Sequence, residues 1–520
     1  MAGSSQSATS AQSAPHGSIR ADSLAEGVII LLALTIVQRL VGFVRGILFC
    51  RSLDADQLGQ WDLAFSFLML AAPLAVFGLP GSFGRYVEAY RSSGQLRTFL
   101  RRTTLASLVP SLVACIAAAI FRVEIAEWIF GEPTEGPLVL AMAGTLATLI
   151  TFNFITCFFT ALRSSRIVSY LQFSNTILFA GVSLVLMATW RSDAIAAVVG
   201  FGVACALSSL VAVGWMVRLW RELPTAETFL AQRTLWAKLM PFAFWLWMTN
   251  WIANSSELAD RYMLVHFSGL DSKAALDLVG QYHTARIIPI LFLGLADLLS
   301  TLITPHLIHD WEAGRRDVVA GRLRLILKLF TVSFTLMSIG LMVAAPLFFH
   351  TALANKFGIG ETVFPWALTY SLWTGLAMIS NNWLWCAEKS RLACVGLTLG
   401  LFANIGLNLL LLPSLGLEGA AISSAAAKFA SLATLWLICG ALGMKLDRGM
   451  LFAIGIPALL LCGPWAALAV VALSASGLVP KLALFSQEER RQIITGAEKL
   501  AMKLRLPMFG RRALAPGSEA

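Results

Sequence analysis

Apolar runs of about twenty residues follow one another almost without interruption from Leu24 to Val479, and this constrains the fold more than any other feature of the chain. Runs of that length match the hydrocarbon core of a bilayer, where only helices or closed barrels satisfy their own backbone groups. The length of the runs and their lack of alternation predict helices, hence an all-α polytopic membrane protein. Composition agrees, with 58% hydrophobic and 13% charged residues among 520 and a mean hydropathy of +0.75, outside the range of soluble proteins. Spans are expected at about 24–50, 60–90, 103–121, 137–162, 167–190, 194–217, 238–266, 276–305, 323–349, 361–387, 391–412 and 417–441.

Charge orients these spans. A net charge of +10 in a soluble chain would suggest nucleic acid, but here the excess sits in short connections. Basic loops at 91–102, 163–166, 218–238, 306–328, 388–391 and 445–448 alternate with short, mixed or acidic ones at 122–136, 191–193, 267–275, 350–360 and 413–416. The positive-inside rule therefore puts the basic loops and both termini in the cytoplasm, and no nucleic-acid partner is expected. The stretch 449–479 is long for one span and short for two. Gly463-Pro464 in its middle suits a hairpin, and a cytoplasmic basic tail requires an even number, so about fourteen spans are expected. The organisation read this way is a disordered cytoplasmic segment at 1–20, without a signal-peptide pattern, and a six-helix half at 21–220. A second six-helix half at 221–445, a final helix pair at 446–480 and a basic cytoplasmic tail at 481–520 follow, the tail carrying an amphipathic stretch from Glu488 to about Leu506. The eight cysteines are scattered singly without metal spacing, and no metal site is expected.

An internal repeat supports the division into halves. Gly59-Gln60-Trp61 matches Gly280-Gln281-Tyr282, and Ala64 matches Ala285; Tyr90 with Gly94 is echoed by Trp311 with Gly314, and Cys157 to Arg166 by Cys386 to Arg391. The shared order, at a separation near 220 residues, implies two pseudo-symmetric halves. Six spans return the chain to its starting side, so the repeat is parallel, an arrangement able to open alternately to each side.

Polar residues inside the spans are the candidate site, because each is costly in lipid. Gln38, Gly42 and Arg45 share one face of the first span and Arg39 points partly away; two arginines suit an anion such as phosphate, or else each snorkels or pairs with an acid such as Asp62. Asp62 lies near the outer end of the second span, and Arg85 and Glu88, three apart near its inner end, suit a structural ion pair. In the seventh span Asn250, Asn254 and Glu257 form a polar stripe, Arg261 follows Glu257 by one turn, and Asp260 adds a second acid. This stripe suits sugar hydroxyls or a coupling ion, the alternative being interhelical hydrogen bonds. Trp247 and Trp251 either stack on sugars or sit in the interfacial belt, as does Trp383 of the tenth span. His283 and Arg286 in the eighth span are expected to face the central cleft across from Asp62 and Arg45, with Asp297 deeper. Asp260 and Asp297 are the candidate sites for proton or sodium coupling; no other cofactor is expected.

Motifs for chemistry are missing: there is no Walker-type loop, no HExxH, no GxSxG and no long soluble domain, so a transporter rather than an enzyme is expected. At this point Gln38-Arg39-Leu-Val-Gly-Phe-Val-Arg45, Leu58-Gly-Gln-Trp-Asp-Leu63, Phe77-Gly-Leu-Pro-Gly-Ser-Phe-Gly-Arg85-Tyr86 and Phe485-Ser-Gln-Glu-Glu-Arg490 resemble the polysaccharide flippases. That family belongs to the superfamily that also holds multidrug exporters and the lipid II flippase. The resemblance implies a bacterial inner-membrane flippase that moves an undecaprenyl-diphosphate-linked oligosaccharide to the outer leaflet for surface polysaccharide synthesis, beside polymerase and glycosyltransferase machinery. It further implies that Arg39, Arg45, Arg261 and Arg286 line a cationic cavity. An ion-coupled multidrug exporter and a lipid II flippase are the alternatives; the former should show more unpaired acids and fewer cavity arginines.

Overall fold

The computed structural model describes residues 24–222, 231–476 and 484–503; the expected disordered segment at 1–20 lies outside them. Every regular element among the described residues is helical. The first half runs through α1 (Leu24–Ser52), α2 (Ala55–Ala75), α3 (Phe83–Ser92), α4 (Leu96–Ile120), α5 (Arg122–Phe130), α6 (Gly136–Ala161), α7 (Ser165–Thr189) and α8 (Ala194–Glu222). The second runs through α9 (Gln232–Phe267), α10 (Ser272–Glu312), α11 (Arg316–Leu347), α12 (Gly358–Cys386) and α13 (Ala393–Ala441). Two short helices, α14 (Arg448–Gly455) with a 3₁₀ extension to Cys462 and α15 (Pro464–Ser476), turn at Gly463, and α16 (Gln487–Lys503) closes the described chain.

Local chemistry accounts for the interruptions. The expected span 60–90 is not one helix: α2 stops at Ala75, Phe77 and Gly78 take left-handed backbone angles, and a 3₁₀ turn at Pro80–Ser82 leads into α3. Pro80 lacks the N–H that would continue the ladder of α2 and instead opens the 3₁₀ turn at its first position. Gly78 is fixed by space as well, since a Cβ there would come within 2.8 Å of Ala243 O. The expected Arg85–Glu88 pair is also replaced: Glu88 meets Arg91 at 3.8 Å, and Arg85 stacks on Phe242. The 49 residues of α13 are two antiparallel arms, because Gly416 at φ 53°, ψ −129° reverses the chain and brings Gly396 and Gly400 against Ser431. These arms correspond to the expected spans 391–412 and 417–441.

Nine of the described helices are long and apolar enough to cross a membrane by length and composition. The helices share one continuous apolar core extending from α1 to α15. The repeat is visible in backbone detail. Gly94 and Gly314 both end a helix in the left-handed region, and Arg163 and Glu388 do the same in the second echoed pair. Most telling is the contact between α2 and α10. A Cβ on Gly59 would lie 1.9 Å from Leu276 O, and a Cβ on Gly280 would lie 2.0 Å from Ala55 O. These contacts are reciprocal under the 221-residue offset that also relates Asp62 to His283, so a pseudo-twofold axis passes through the crossing.

More links between the halves gather at this end of the bundle, which carries the non-basic connections. Arg51 donates to the carbonyls of Thr351 and Ala352, His266 Nε2 lies 2.8 Å from Trp128 O, Ser272 donates to Gly131 O, and Lys356 meets Asp54 at 3.3 Å. The helix ends of each half thus clasp the other half and close this end.

Candidate functional site

One to two turns below the glycine crossing, α2, α9, α10 and α12 bring charged side chains together where the sequence gives four apolar helices few polar positions. Asp62 of α2 is 4% exposed and Arg261 of α9 is 5% exposed. Arg261 Nε donates to Asp62 Oδ2 at 2.5 Å, while His283 Nδ1 of α10 lies 2.8 Å from Asp62 Oδ1. The repeat mates Asp62 and His283 therefore touch across the pseudo-twofold axis. One turn away on α9, Glu257 accepts from Arg286 Nη2 at 2.5 Å and from Tyr370 OH of α12 at 2.7 Å, and Arg261 Nη1 donates to the Glu257 carbonyl. The chain of contacts Asp62, Arg261, Glu257, Arg286 alternates in sign, as burial of charges in a low-dielectric interior requires. Arg286 is 6% exposed, its guanidinium lies over the rings of Tyr282 and Tyr370, and its Nη1 has no hydrogen-bond partner among the described residues.

A second cluster lies on the adjacent face of α9. Asp260 Oδ1 accepts from Asn404 Nδ2 at 2.7 Å and Asn408 Nδ2 at 3.1 Å, and Asp260 Oδ2 accepts from Ser424 and, at 3.4 Å, from Tyr282 OH. Each of these donors to the buried carboxylate is neutral. Asn408 Oδ1, in a residue with no exposed surface, has no hydrogen-bond partner among the described residues. Lys428, one turn beyond Ser424 on α13, sits with its ammonium 5.3 Å from the centre of the Tyr370 ring.

The structure thus gathers Asp62, Glu257, Arg261, His283 and Arg286, and sets Asp260 beside them. The arginines of α1 lie elsewhere. Arg45, expected opposite His283, stays inside the first half with its guanidinium 3.9 Å from the centre of the Phe179 ring. Arg39 is exposed and lies against α10, where a Cβ on Gly294 would meet its Nε at 2.7 Å. Gln38 lines a shallow groove with Thr160, Arg163, Ser169 and Gln172. On α9, Asn250 and Asn254 donate to carbonyls of their own helix. Trp247 and Trp251 are near-parallel at 6.4 Å, and the indole N–H of Trp247 is buried without a partner among the described residues. Trp383 is buried edge-on against Trp311, and Asp297 is exposed on α10. Sequence reasoning missed Tyr282, Tyr370, Asn404, Asn408, Ser424 and Lys428. Asn404 and Asn408, four apart in an otherwise apolar span, were the available signal; Tyr370 and Ser424 carried none.

Over residues 24–299 the sequence matches the family described as polysaccharide biosynthesis protein. The chain belongs to this family. A search of curated proteins gave no match. Among solved structures this family member resembles the lipid II flippase MurJ in an inward-closed conformation, at 14% identity over 92% of this chain and 100% of that one, with a TM-score of 0.67. It also resembles an inward-facing multidrug resistance MATE transporter of the MOP superfamily, at 15% identity over 81% of this chain and 100% of that one, TM-score 0.54. The MATE multidrug transporter DinF-BH gives 14% identity, 81% and 96% coverage and a TM-score of 0.57. At such identities the likeness is one of fold, that of an all-helical multi-pass membrane protein.

Proposed function

We propose that the protein is a flippase that carries an undecaprenyl-diphosphate-linked oligosaccharide from the inner to the outer leaflet of the bacterial inner membrane, supplying surface polysaccharide assembly. The observation that carries this reading is the pair of buried arginines, Arg261 tied to Asp62 of the other half and Arg286 tied to Glu257 within its own half, with Arg286 Nη1 still unpartnered among the described residues. Guanidinium groups bind phosphate oxygens through paired donors. A diphosphate entering from the basic-loop side competes with Asp62 and Glu257 for those donors, loosening the ionic ties just beneath the glycine crossing and favouring opening toward the outer side. Arg39, exposed beside α10, meets the head group on entry, and the Trp247–Trp251 pair, whose Trp247 N–H has no partner among the described residues, offers a surface for sugars. Both termini then lie in the cytoplasm, and polymerase and glycosyltransferases supply and consume the substrate.

Asp260 is the coupling site in this account. A buried carboxylate with neutral oxygen-bearing neighbours and one orphaned amide oxygen suits a hard monovalent cation, sodium or a proton. The test is translocation in proteoliposomes of a labelled polyprenyl-diphosphate oligosaccharide, beside lipid II and an organic cation dye. Movement of the oligosaccharide, lost on Arg286→Gln, is expected. Movement of lipid II alone or of the dye alone overturns the substrate assignment.

A further inference from the structure

The charges in the two clusters do not pair one to one in the observed arrangement. Asp62 and Glu257 hold Arg261 and Arg286, whereas Asp260 has only neutral donors and Lys428 has no carboxylate within ion-pair distance among the described residues. One buried anion and one cation are therefore left over, and they belong to the same neighbourhood. Ser424 and Lys428 lie four residues apart on one face of α13; Ser424 donates to Asp260, and Lys428 lies over Tyr370, whose hydroxyl donates to Glu257. Lys428 thus neighbours groups bonded to both Asp260 and Glu257. Its four-carbon stem is long and flexible, a tether for a point charge.

Resting on the reading of Asp260 as a cation pocket, we propose that Lys428 is a positioning residue that couples this pocket to the anion site: its ammonium occupies the Asp260 carboxylate when no free cation is bound and swings toward Tyr370 and Glu257 when one is. In the second position it shares Glu257 with Arg286. The guanidinium is then less tightly held and free to take a diphosphate oxygen through Nη1. Cation binding and anion binding become mutually favourable, and linkage makes the effect reciprocal. The observed arrangement, with Lys428 over Tyr370, is the one that leaves Asp260 with neutral partners alone.

The test measures two responses of the purified full-length protein in detergent, with potassium replaced by sodium at constant ionic strength. The first is the sodium-dependent rise in melting temperature; the second is the effect of sodium on binding of a short-chain isoprenyl diphosphate. In the wild type sodium is expected to stabilise and to tighten diphosphate binding by about tenfold, within the usual span of coupling between two sites. Lys428→Gln is expected to respond at severalfold lower sodium, because the internal competitor is gone, and to bind diphosphate equally with and without sodium. Lys428→Arg, which keeps the charge, is expected to restore the sodium dependence. Sodium dependence in Lys428→Gln equal to that of the wild type overturns the proposal while leaving the pocket intact. A wild type indifferent to sodium, or an Asp260→Asn variant as responsive as the wild type, instead removes the pocket and the proposal with it. Should Lys428→Gln fail to fold, loss of the sodium effect on diphosphate binding in a folded Lys428→Arg overturns the charge-based role.

Discussion

Replacing Gly280 by alanine tests whether the α2–α10 crossing is what holds one end of the bundle shut. The added Cβ would sit 2.0 Å from Ala55 O, a backbone atom that cannot rotate away. Carbon and carbonyl oxygen approach no closer than about 3.3 Å even in favourable contacts, so α2 and α10 must separate locally by roughly 1.3 Å. Overpacking of this kind costs about 1–3 kcal/mol. The displacement acts one turn from the 2.8 Å contact between Asp62 and His283 and loosens it as well. Gly59→Ala should behave alike, because its Cβ would meet Leu276 O at 1.9 Å. Gly84, in α3 with nothing within 4 Å of a Cβ, is the control, and alanine there should gain about 0.5–1 kcal/mol from helix propensity. The assay combines thermal unfolding in detergent with spin-label distances between Thr134→Cys and Lys273→Cys, one exposed position in each half at the closed end. Gly280→Ala should melt lower and shift the distance distribution to longer values, whereas Gly84→Ala should do neither. Wild-type melting and distances in Gly280→Ala would refute the idea that this contact sets the closure.

Other perturbations follow from the same geometry. Asp62→Ala strands the buried guanidinium of Arg261 and should cost about 3–5 kcal/mol, most of it recovered in Asp62→Ala/Arg261→Met; equal unfolding free energies for the single and double variants would contradict the pairing. Arg45→Ala removes a cation resting on Phe179, worth about 0.5–2 kcal/mol of stability, and translocation should stay within about twofold of wild type; a hundredfold loss would return Arg45 to the substrate site. Lys328, buried in α11, is held by Asp447 at 2.6 Å and by Glu489 of α16 at 2.9 Å. Glu489→Gln should therefore free α16 and speed tryptic cleavage at Arg490 and Arg491, and an unchanged cleavage rate would show that the apolar contacts of Leu484 and Phe485 suffice.

Much of this architecture was legible because membrane helices announce themselves by length and hydropathy, and because Gly59-Gln60-Trp61 recurs at Gly280. The cost of polar groups in a membrane span marked Asp62 and His283 as candidates, and the repeat set His283 across from Asp62, where the structure has them in contact. Partner choice was not legible. Arg45 and Arg261 look alike in sequence, each an arginine well inside a long helix, but Arg45 turns toward α7 and Phe179 while Arg261 turns toward α2 and Asp62; helix rotation decides this, and period alone does not give it. The break after Ala75 has a sequence signal in Pro80-Gly81, but its extent depends on how closely Gly78 approaches α9. Tyr370 and Ser424 gave no signal, because a hydroxyl in a membrane span bonds to its own helix as readily as to a neighbour.

The central claim is that internal carboxylates hold Arg261 and Arg286 in place of a substrate anion. Equilibrium binding of a labelled polyprenyl-diphosphate oligosaccharide to the purified protein tests it most directly, with Glu257→Gln compared against Arg286→Gln. Glu257→Gln removes the competitor and should bind the ligand more tightly than wild type while flipping it more slowly, since the ionic tie to Arg286 no longer re-forms on release. Arg286→Gln should lose about 2–5 kcal/mol of binding, as expected when one partner of a buried charge pair is removed. Weaker binding by both variants, to a similar extent, would contradict the account and make Glu257 a direct ligand or a structural support.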